Sequence, residues 1–264
     1  MDLQLKNKLA LVTGSTAGIG FAIAKSLATE GAAVIINGRT DPRVSEAIAV
    51  ILAAHPEARL EPLVADLSTP DGADQTIRQF PAVDILVNSL GMYEHRPFEE
   101  TSDEHWRAII EINFMSGLRL SRHYLPRMKA ANWGRIIFLS SESGVNIPPE
   151  MIHYGVTKTM LLALSRGLAE TTVGTAVTVN SVLPGPTLSE GVGRFLADHA
   201  KARGIGLEAV QQEFLRSLRP TSLLDRFATT DEVANLVAFV ASPRASAING
   251  AALRVDGGVV RSIV

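Results

Sequence analysis

Tyr154 and Lys158 stand four positions apart in a stretch with helical spacing, so their side chains share one face, a turn apart. An ammonium beside a phenol favours the tyrosinate and draws the phenol from about 10 toward neutrality, where proton transfer is efficient. Tyr154 is thereby a candidate to donate or remove a proton. Upstream, Ser140 and Ser141 follow the apolar run Ile136 to Leu139. A hydroxyl at the carboxyl end of a buried strand can hold a substrate oxygen as charge develops on it, and either serine can equally form the turn that ends the strand. Asn113 is a polar residue among apolar neighbours in Ile112-Asn113-Phe114. A buried asparagine needs partners, which makes it a structural bridge or a residue that holds a water in a relay.

A second set of residues reads as a nucleotide site. The first apolar run, Leu9 to Val12, passes into Thr13-Gly14-Ser15-Thr16-Ala17-Gly18-Ile19-Gly20 and then into an amphipathic stretch. Glycines at 14, 18 and 20 permit a tight turn, a close approach of backbone to a pyrophosphate and close helix packing, and the helix start supplies amide donors. The second run ends in Asn37-Gly38-Arg39-Thr40, with no carboxylate for a ribose 2′-hydroxyl. Arg39 can instead fork onto a 2′-phosphate, which favours NADP(H) over NAD(H). Asp66, after the third run, suits either the adenine amino group or the cap of the following turn.

These residues need a scaffold, and the sequence supplies one. Short runs rich in Val, Ile and Leu recur at Leu9 to Val12, Ala33 to Ile36, Leu60 to Ala65, Ile85 to Val87, Ile136 to Leu139, Val177 to Val182 and Ala252 to Val255. They read as strands buried on both faces. Helical spacing occupies Ile19 to Glu30, Val44 to Ala54, Glu104 to Ala130, Tyr154 to Glu170 and Asp231 to Ala241. The alternation predicts an α/β fold with a single doubly wound parallel sheet, helices on both faces, across residues 1–264 as one domain. The strand pattern stops from about 186 to 228, where two short helical pieces, Gly193 to Ala202 and Leu207 to Ser217, suit a substrate lid.

Composition sets outer bounds. The chain has 264 residues, 46% hydrophobic and 20% charged, which excludes disordered and collagen-like classes. Lys+Arg 25 against Asp+Glu 27 leaves a net charge of -2, so no nucleic-acid footprint is visible and an anionic partner must be held locally. With Cys 0 there is no disulfide, thiolate or cysteine metal site, and no metal cluster is expected. Neither a signal pattern nor a membrane-length apolar run is present, which predicts a cytoplasmic protein without a membrane partner.

Taken in order, these motifs resemble the short-chain dehydrogenases/reductases over nearly the whole chain. Thr13-Gly14-x-x-x-Gly18-Ile19-Gly20 is similar to the family's cofactor turn, Asp66 to its adenine contact and Asn88-Ser89-Leu90-Gly91 to its Asn-Asn-Ala-Gly segment, with Ser89 and Leu90 departing from the pattern. The resemblance implies a Rossmann fold and a catalytic tetrad of Asn113, Ser141, Tyr154 and Lys158. Ser141 is chosen over Ser140 because the family serine lies thirteen positions before the tyrosine. Ser15, Thr16, Leu67, Pro184, Gly185 and Thr187 are further cofactor contacts that it implies, with Thr187 bonding the carboxamide, and Asp256-Gly257-Gly258 resembles the C-terminal signature. The implied reaction interconverts a carbonyl and a secondary alcohol by hydride transfer. Ser141 holds the oxygen, Tyr154 moves the proton, Lys158 lowers the tyrosine pKa and binds ribose, and Asn113 holds a water.

Three other readings compete. A methyltransferase explains the glycines and leaves Tyr154 and Lys158 idle. A cofactor-binding scaffold without turnover predicts a broken tetrad. A 3-oxoacyl-carrier-protein reductase-like enzyme needs a cationic surface, for which Arg119, Arg122, Arg127 and Lys129 are candidates. The expected partner is a small carbonyl or alcohol substrate, lined by Met92, Tyr93, Glu94, His95, Phe98, Glu142, Ile147, His153 and the lid. The resemblance also implies a homo-oligomer, dimer or tetramer, packed through Glu104 to Ala130 and Tyr154 to Glu170.

Overall fold

The computed structural model describes residues 1–263. Seven parallel strands form one sheet in the order β3-β2-β1-β4-β5-β6-β7. They are β1 (Leu9–Val12), β2 (Ala33–Gly38), β3 (Arg59–Val64), β4 (Ile85–Asn88), β5 (Gly134–Leu139), β6 (Val177–Pro184) and β7 (Ala252–Val255). The helices are α1 (Gly18–Thr29), α2 (Asp41–Ala54), α3 (Pro70–Gln79), α4 (Asp103–Ile110), α5 (Ser116–Ala130), α6 (Ile152–Glu170), α7 (Glu190–Arg203), α8 (Leu207–Leu218) and α9 (Thr230–Val240). The chain order reverses between β1 and β4, so the carboxyl ends of these strands flank the crevice where doubly wound sheets take ligands.

The strands read as continuous apolar runs because each alternate residue enters a different core. Ala10, Val12, Val34, Ile36, Ile85, Val87 and Ile137 pack with Ile23 and Leu27 of α1 and with Val233 and Val237 of α9. Leu11, Ile35, Leu86, Ile136 and Phe138 face the other side, against Leu120, Tyr124 and Met128 of α5 and Leu161 of α6. Both faces are covered, as a parallel sheet requires. The two edges depart from the expectation of double burial: β3 exposes Arg59, Glu61 and Pro62, and β7 exposes Ala252 and Arg254. An edge tolerates Pro62, since its outer side needs no ladder donor.

Helix α3 did not stand out in the sequence, because PDGADQTIRQ carries few apolar residues. It forms on a local signal instead: Thr69 caps it by accepting from Gly72 N at 3.1 Å, with Pro70 at the first helical position. The predicted helix from 104 to 130 is α4 and α5 joined through one wide π-turn, Glu111–Met115. The region 186–228 carries α7 and α8, which close a small core of their own through Leu196, Val210, Leu215 and Phe227.

Two buried side chains bind the strand ends together. Asn37 at the end of β2 accepts from Gly14 N at 3.0 Å and donates to Leu63 O at 3.3 Å and Ala65 O at 3.1 Å. Thr13 Oγ1 accepts from both Ser89 N and Leu90 N at 2.9 Å. A turn, an interior strand and an edge strand thus converge on Asn37. Asn37→Leu strands one amide and two carbonyls, so it should lower unfolding free energy by at least about 2 kcal/mol. Urea denaturation reads this, and a wild-type midpoint would show that the network carries no weight.

Candidate active site

The site lies at the carboxyl ends of β1, β4, β5 and β6, where a cavity of about 220 Å³ is bounded by Gly91, Met92, Ser141, Glu142, Tyr154, Lys158, Gly185 and Thr187. Three elements position the polar centre. Strand β5 ends at Leu139, whose carbonyl accepts from Lys158 Nζ at 2.9 Å. Ser140 Oγ donates to Lys158 O at 2.8 Å and so anchors α6 to the strand end. Ser141 Oγ accepts from Ser143 N at 3.1 Å and faces the Tyr154 hydroxyl. The structure therefore separates the two serines: Ser140 is committed to backbone, and Ser141 meets the tyrosine in the cavity.

The electrostatics differ from expectation. The Tyr154 phenol is pushed up to about 12 by burial, against the opposing pull of Ser141 and Arg219. Lys158 is pushed down to about 8 because its ammonium is buried. Its Nζ stands 5.5 Å from the Tyr154 ring centroid and gives a hydrogen bond to Leu139 O, so burial outweighs it at the phenol. Gly91 provides its space, since a Cβ there would come within 3.3 Å of Nζ.

Asn113 sits in the π-turn, 2% exposed. Its Oδ1 accepts from Met92 N at 2.8 Å, and Nδ2 donates to Met92 O at 2.9 Å and Thr157 Oγ1 at 3.1 Å. The side chain forms a bridge: both amide protons are used on protein groups, and it ties the loop after β4 to α6. A wide turn at this point has a plain use, since it breaks the helical register and turns one polar side chain inward.

The glycine turn suits an anion. Gly14 and Gly18 have φ of 63 and 57, a region that favours glycine, and a Cβ on Gly20 would lie 2.4 Å from Gly14 O. Helix α1 has Ala17 at its N-cap, without a side-chain cap and without an acidic residue in its first turn, so its amides and dipole face outward. Ser15 does not contribute to this surface: it is buried, its N donates to Asn37 O and its Oγ accepts from Asn37 N. Thr16 and Gly18 line a neighbouring cavity with Arg43 and Glu190. Ile19 lines the central one.

Arg39 is exposed and has no hydrogen-bond or ion-pair partner among the described residues. Arg43 was not singled out in the sequence. Its place in the first turn of α2 puts a second cation beside the glycine turn, 3.9 Å from Glu190. Asp66 Oδ1 accepts from Ser68 N at 3.0 Å and so caps the following turn, while Leu67 is a core side chain. Asn88 donates to Ser121 Oγ at 3.3 Å, behind the site. Pro184, Gly185 and Thr187 line the cavity, and Asp256 holds the neighbouring loop by accepting from Gly258 N and Val260 N. A Cβ on Gly185 would lie 2.5 Å from Asp256 O, so these two loops meet only because residue 185 is glycine.

Of the expected substrate-lining residues, Met92, Tyr93 and Glu142 are in the cavity. Glu94 instead pairs with Arg96, Phe98 and Ile147 face outward, and His153 is buried edge-on to Trp106. His95 stacks on Phe195 beside a separate cavity between α7 and α8. No cluster of metal-ligating side chains occurs among the described residues, nor is any helix long and apolar enough to cross a membrane.

Comparison with known proteins places this arrangement. Residues 14–260 match a family model described as enoyl-(acyl carrier protein) reductase. The chain is 48% identical over 263 residues to the uncharacterized oxidoreductase YvaG of Bacillus subtilis (strain 168), covering 100% of each. It is 35% identical over 261 residues to the D-beta-hydroxybutyrate dehydrogenase of Cupriavidus necator, covering 97% of this chain and 99% of that one. The crystal structure of L-sorbose reductase from Gluconobacter frateurii, complexed with NADPH and L-sorbose, superposes with a TM-score of 0.93 at 31% identity over 100% of both chains. With the sheet order, the glycine turn and the match of residues 14–260 to the family model, this chain belongs to the short-chain dehydrogenase/reductase family of oxidoreductases.

Proposed function

We propose that the protein is an NADP(H)-dependent oxidoreductase that interconverts a small carbonyl compound and its secondary alcohol, with Ser141, Tyr154 and Lys158 as its acid–base centre. The observation that carries this reading is their convergence in one cavity, fixed by the Lys158 Nζ to Leu139 O bond and by Ser141 facing the Tyr154 hydroxyl. The glycine turn and the uncapped start of α1 fit a pyrophosphate, Arg39 and Arg43 fit a 2′-phosphate, and the relative complexed with NADPH supports that choice over NAD(H). When bound, NADPH supplies a hydride to the carbonyl carbon.

The chain's own groups do the remaining work. Tyr154 is protonated at neutral pH, since burial raises it, and is therefore ready as the acid that delivers a proton to the substrate oxygen. Ser141 orients that oxygen. Lys158 is a buried cation at neutral pH, and its field stabilises negative charge as it develops on the phenol. Asn113 acts through position, by holding the Met92 backbone at the cavity wall. The 186–228 segment serves as a lid: Ser189 packs over Gly18, and Val192, Phe214 and Phe227 close the apolar side of the cavity.

The carrier-protein reading has less support. Arg119 is largely buried and bound to Glu111, and Arg127 donates to His123 O, so the four basic residues do not form one free cationic face. Self-association through α4, α5 and α6, as a dimer or tetramer, belongs to the same proposal on family likeness, and light scattering reads it.

Tyr154→Phe should cut NADPH-dependent carbonyl reduction by at least about 100-fold, the usual weight of a general acid, while NADPH affinity measured by fluorescence stays close to wild type. Retained turnover would remove Tyr154 from the chemistry. For the cofactor, Arg39→Ala is the cleaner substitution, because a side chain on Gly38 would collide with Thr16 Cγ2 at 2.5 Å. Loss of a charge-assisted phosphate contact should lower kcat/KM for NADPH roughly 10-fold or more and leave NADH unchanged. An unchanged preference would exclude Arg39 from recognition.

A further inference from the structure

One wall of the cavity is polar and takes no part in the steps above. Glu142 follows Ser141 directly and is 3% exposed, and Arg219, just after α8, is 6% exposed; both line the cavity. Arg219 Nε donates to Glu142 Oε1 at 2.7 Å, and its Nη1 donates to Glu150 Oε1 at 3.3 Å and to Leu218 O at 2.7 Å. The other carboxylate oxygen, Glu142 Oε2, is buried and has no donor in hydrogen-bonding geometry. Burial raises the Glu142 carboxyl against the opposing pull of Arg219 and the Ser143 hydroxyl, and Asp256 adds a repulsive field.

A buried carboxylate oxygen without a donor is costly, and native sites retain one where a water, an ion or a ligand completes it or where it has a catalytic role. Arg219 fixes this one in place. The donor that fits is a hydroxyl. A substrate carboxylate is disfavoured here, because both Nη1 protons and Nε of Arg219 are already given to protein oxygens, which leaves the guanidinium no free bidentate edge. Glu142 and Asp256 also repel an anion. The cations Lys158 and Arg219 face the carboxylates Glu142, Glu150 and Asp256, so the wall offers an anion no net attraction and suits an uncharged molecule.

We propose that Glu142, held by Arg219, is the specificity-determining acceptor for a substrate hydroxyl, and that the carbonyl compound this enzyme reduces is neutral and hydroxylated next to its carbonyl. This rests on the carbonyl-reducing reading of the same site. Hydroxyacetone, acetone and pyruvate differ only in the group beside the ketone, and together with a set of ketohexoses they test it by NADPH absorbance with the full-length enzyme. Hydroxyacetone should exceed acetone and pyruvate in kcat/KM by at least about 10-fold, the weight of a hydrogen bond to a charged group, and ketohexoses should be turned over. In Glu142→Gln, which presents an amide where the free oxygen stands, the hydroxyacetone to acetone ratio should fall by about the same factor. Reading a ratio cancels any loss common to both substrates, and NADPH fluorescence titration verifies that the variant is folded.

Acetone or pyruvate reduced as well as hydroxyacetone by wild type overturns this inference and leaves the carbonyl-reducing reading standing. A ratio unchanged in a folded Glu142→Gln assigns any preference to other residues and overturns the role of Glu142. If wild type reduces no carbonyl in the panel with NADPH, the broader reading fails and this one with it. The wild-type comparison decides the substrate class without any variant.

Discussion

A cation buried at the end of a parallel sheet is the constraint around which this molecule is built. Lys158 is 5% exposed, and its ammonium makes one hydrogen bond to protein, with Leu139 O. Removing the charge from water lowers its proton affinity to about 8, which for a fully buried group corresponds to a cost on the order of 3 kcal/mol at neutral pH. The sign follows from proton counts. The folded chain binds fewer protons than the unfolded one between about pH 8 and the ordinary lysine value, so this group makes the fold more stable as pH rises through that window. The fold tolerates the cation at neutrality because strand, loop and helix are each tied to it. Ser140 fixes the α6 backbone at residue 158, Gly91 leaves room for Nζ, and Asn113 fixes the loop after β4 through Met92 and Thr157.

The rest of the crevice follows the same economy of buried polar groups. Backbone atoms at the carboxyl ends of β1, β2 and β4 lack ladder partners, and Thr13, Ser15 and Asn37 supply them. With those groups satisfied internally, the start of α1 keeps outward-facing amides for an anion. A net charge of -2 is therefore compatible with the proposed binding of a highly charged cofactor, which needs only local donors.

Strand and helix alternation made the doubly wound sheet legible, because fully covered parallel strands must be apolar on both faces. The departures have physical causes. The edge strands β3 and β7 need cover on fewer sides, and α3 depends on the Thr69 cap rather than on an apolar stripe. Of the candidate site, spacing put Tyr154 and Lys158 on one helix and the glycines in a strand-to-helix turn, as the structure has them. Spacing could not reveal that Ser15 turns inward, that Asn113 lies in a wide helical turn, or that burial would outweigh Lys158 at the phenol. Nor could it join Glu142 to Arg219, which are 77 positions apart and meet only when the segment after α8 folds over the cavity.

The buried Lys158 ammonium is best tested by observing it. A heteronuclear NMR titration of the lysine side chains in the intact protein, with Lys158 assigned by loss of its signal in Lys158→Met, reads its ionisation directly. A midpoint near pH 8 is expected from burial against Leu139 O. A midpoint at the ordinary lysine value of about 10.4 would mean that the ammonium stays in water, and would contradict the buried cationic centre on which the proposed chemistry depends.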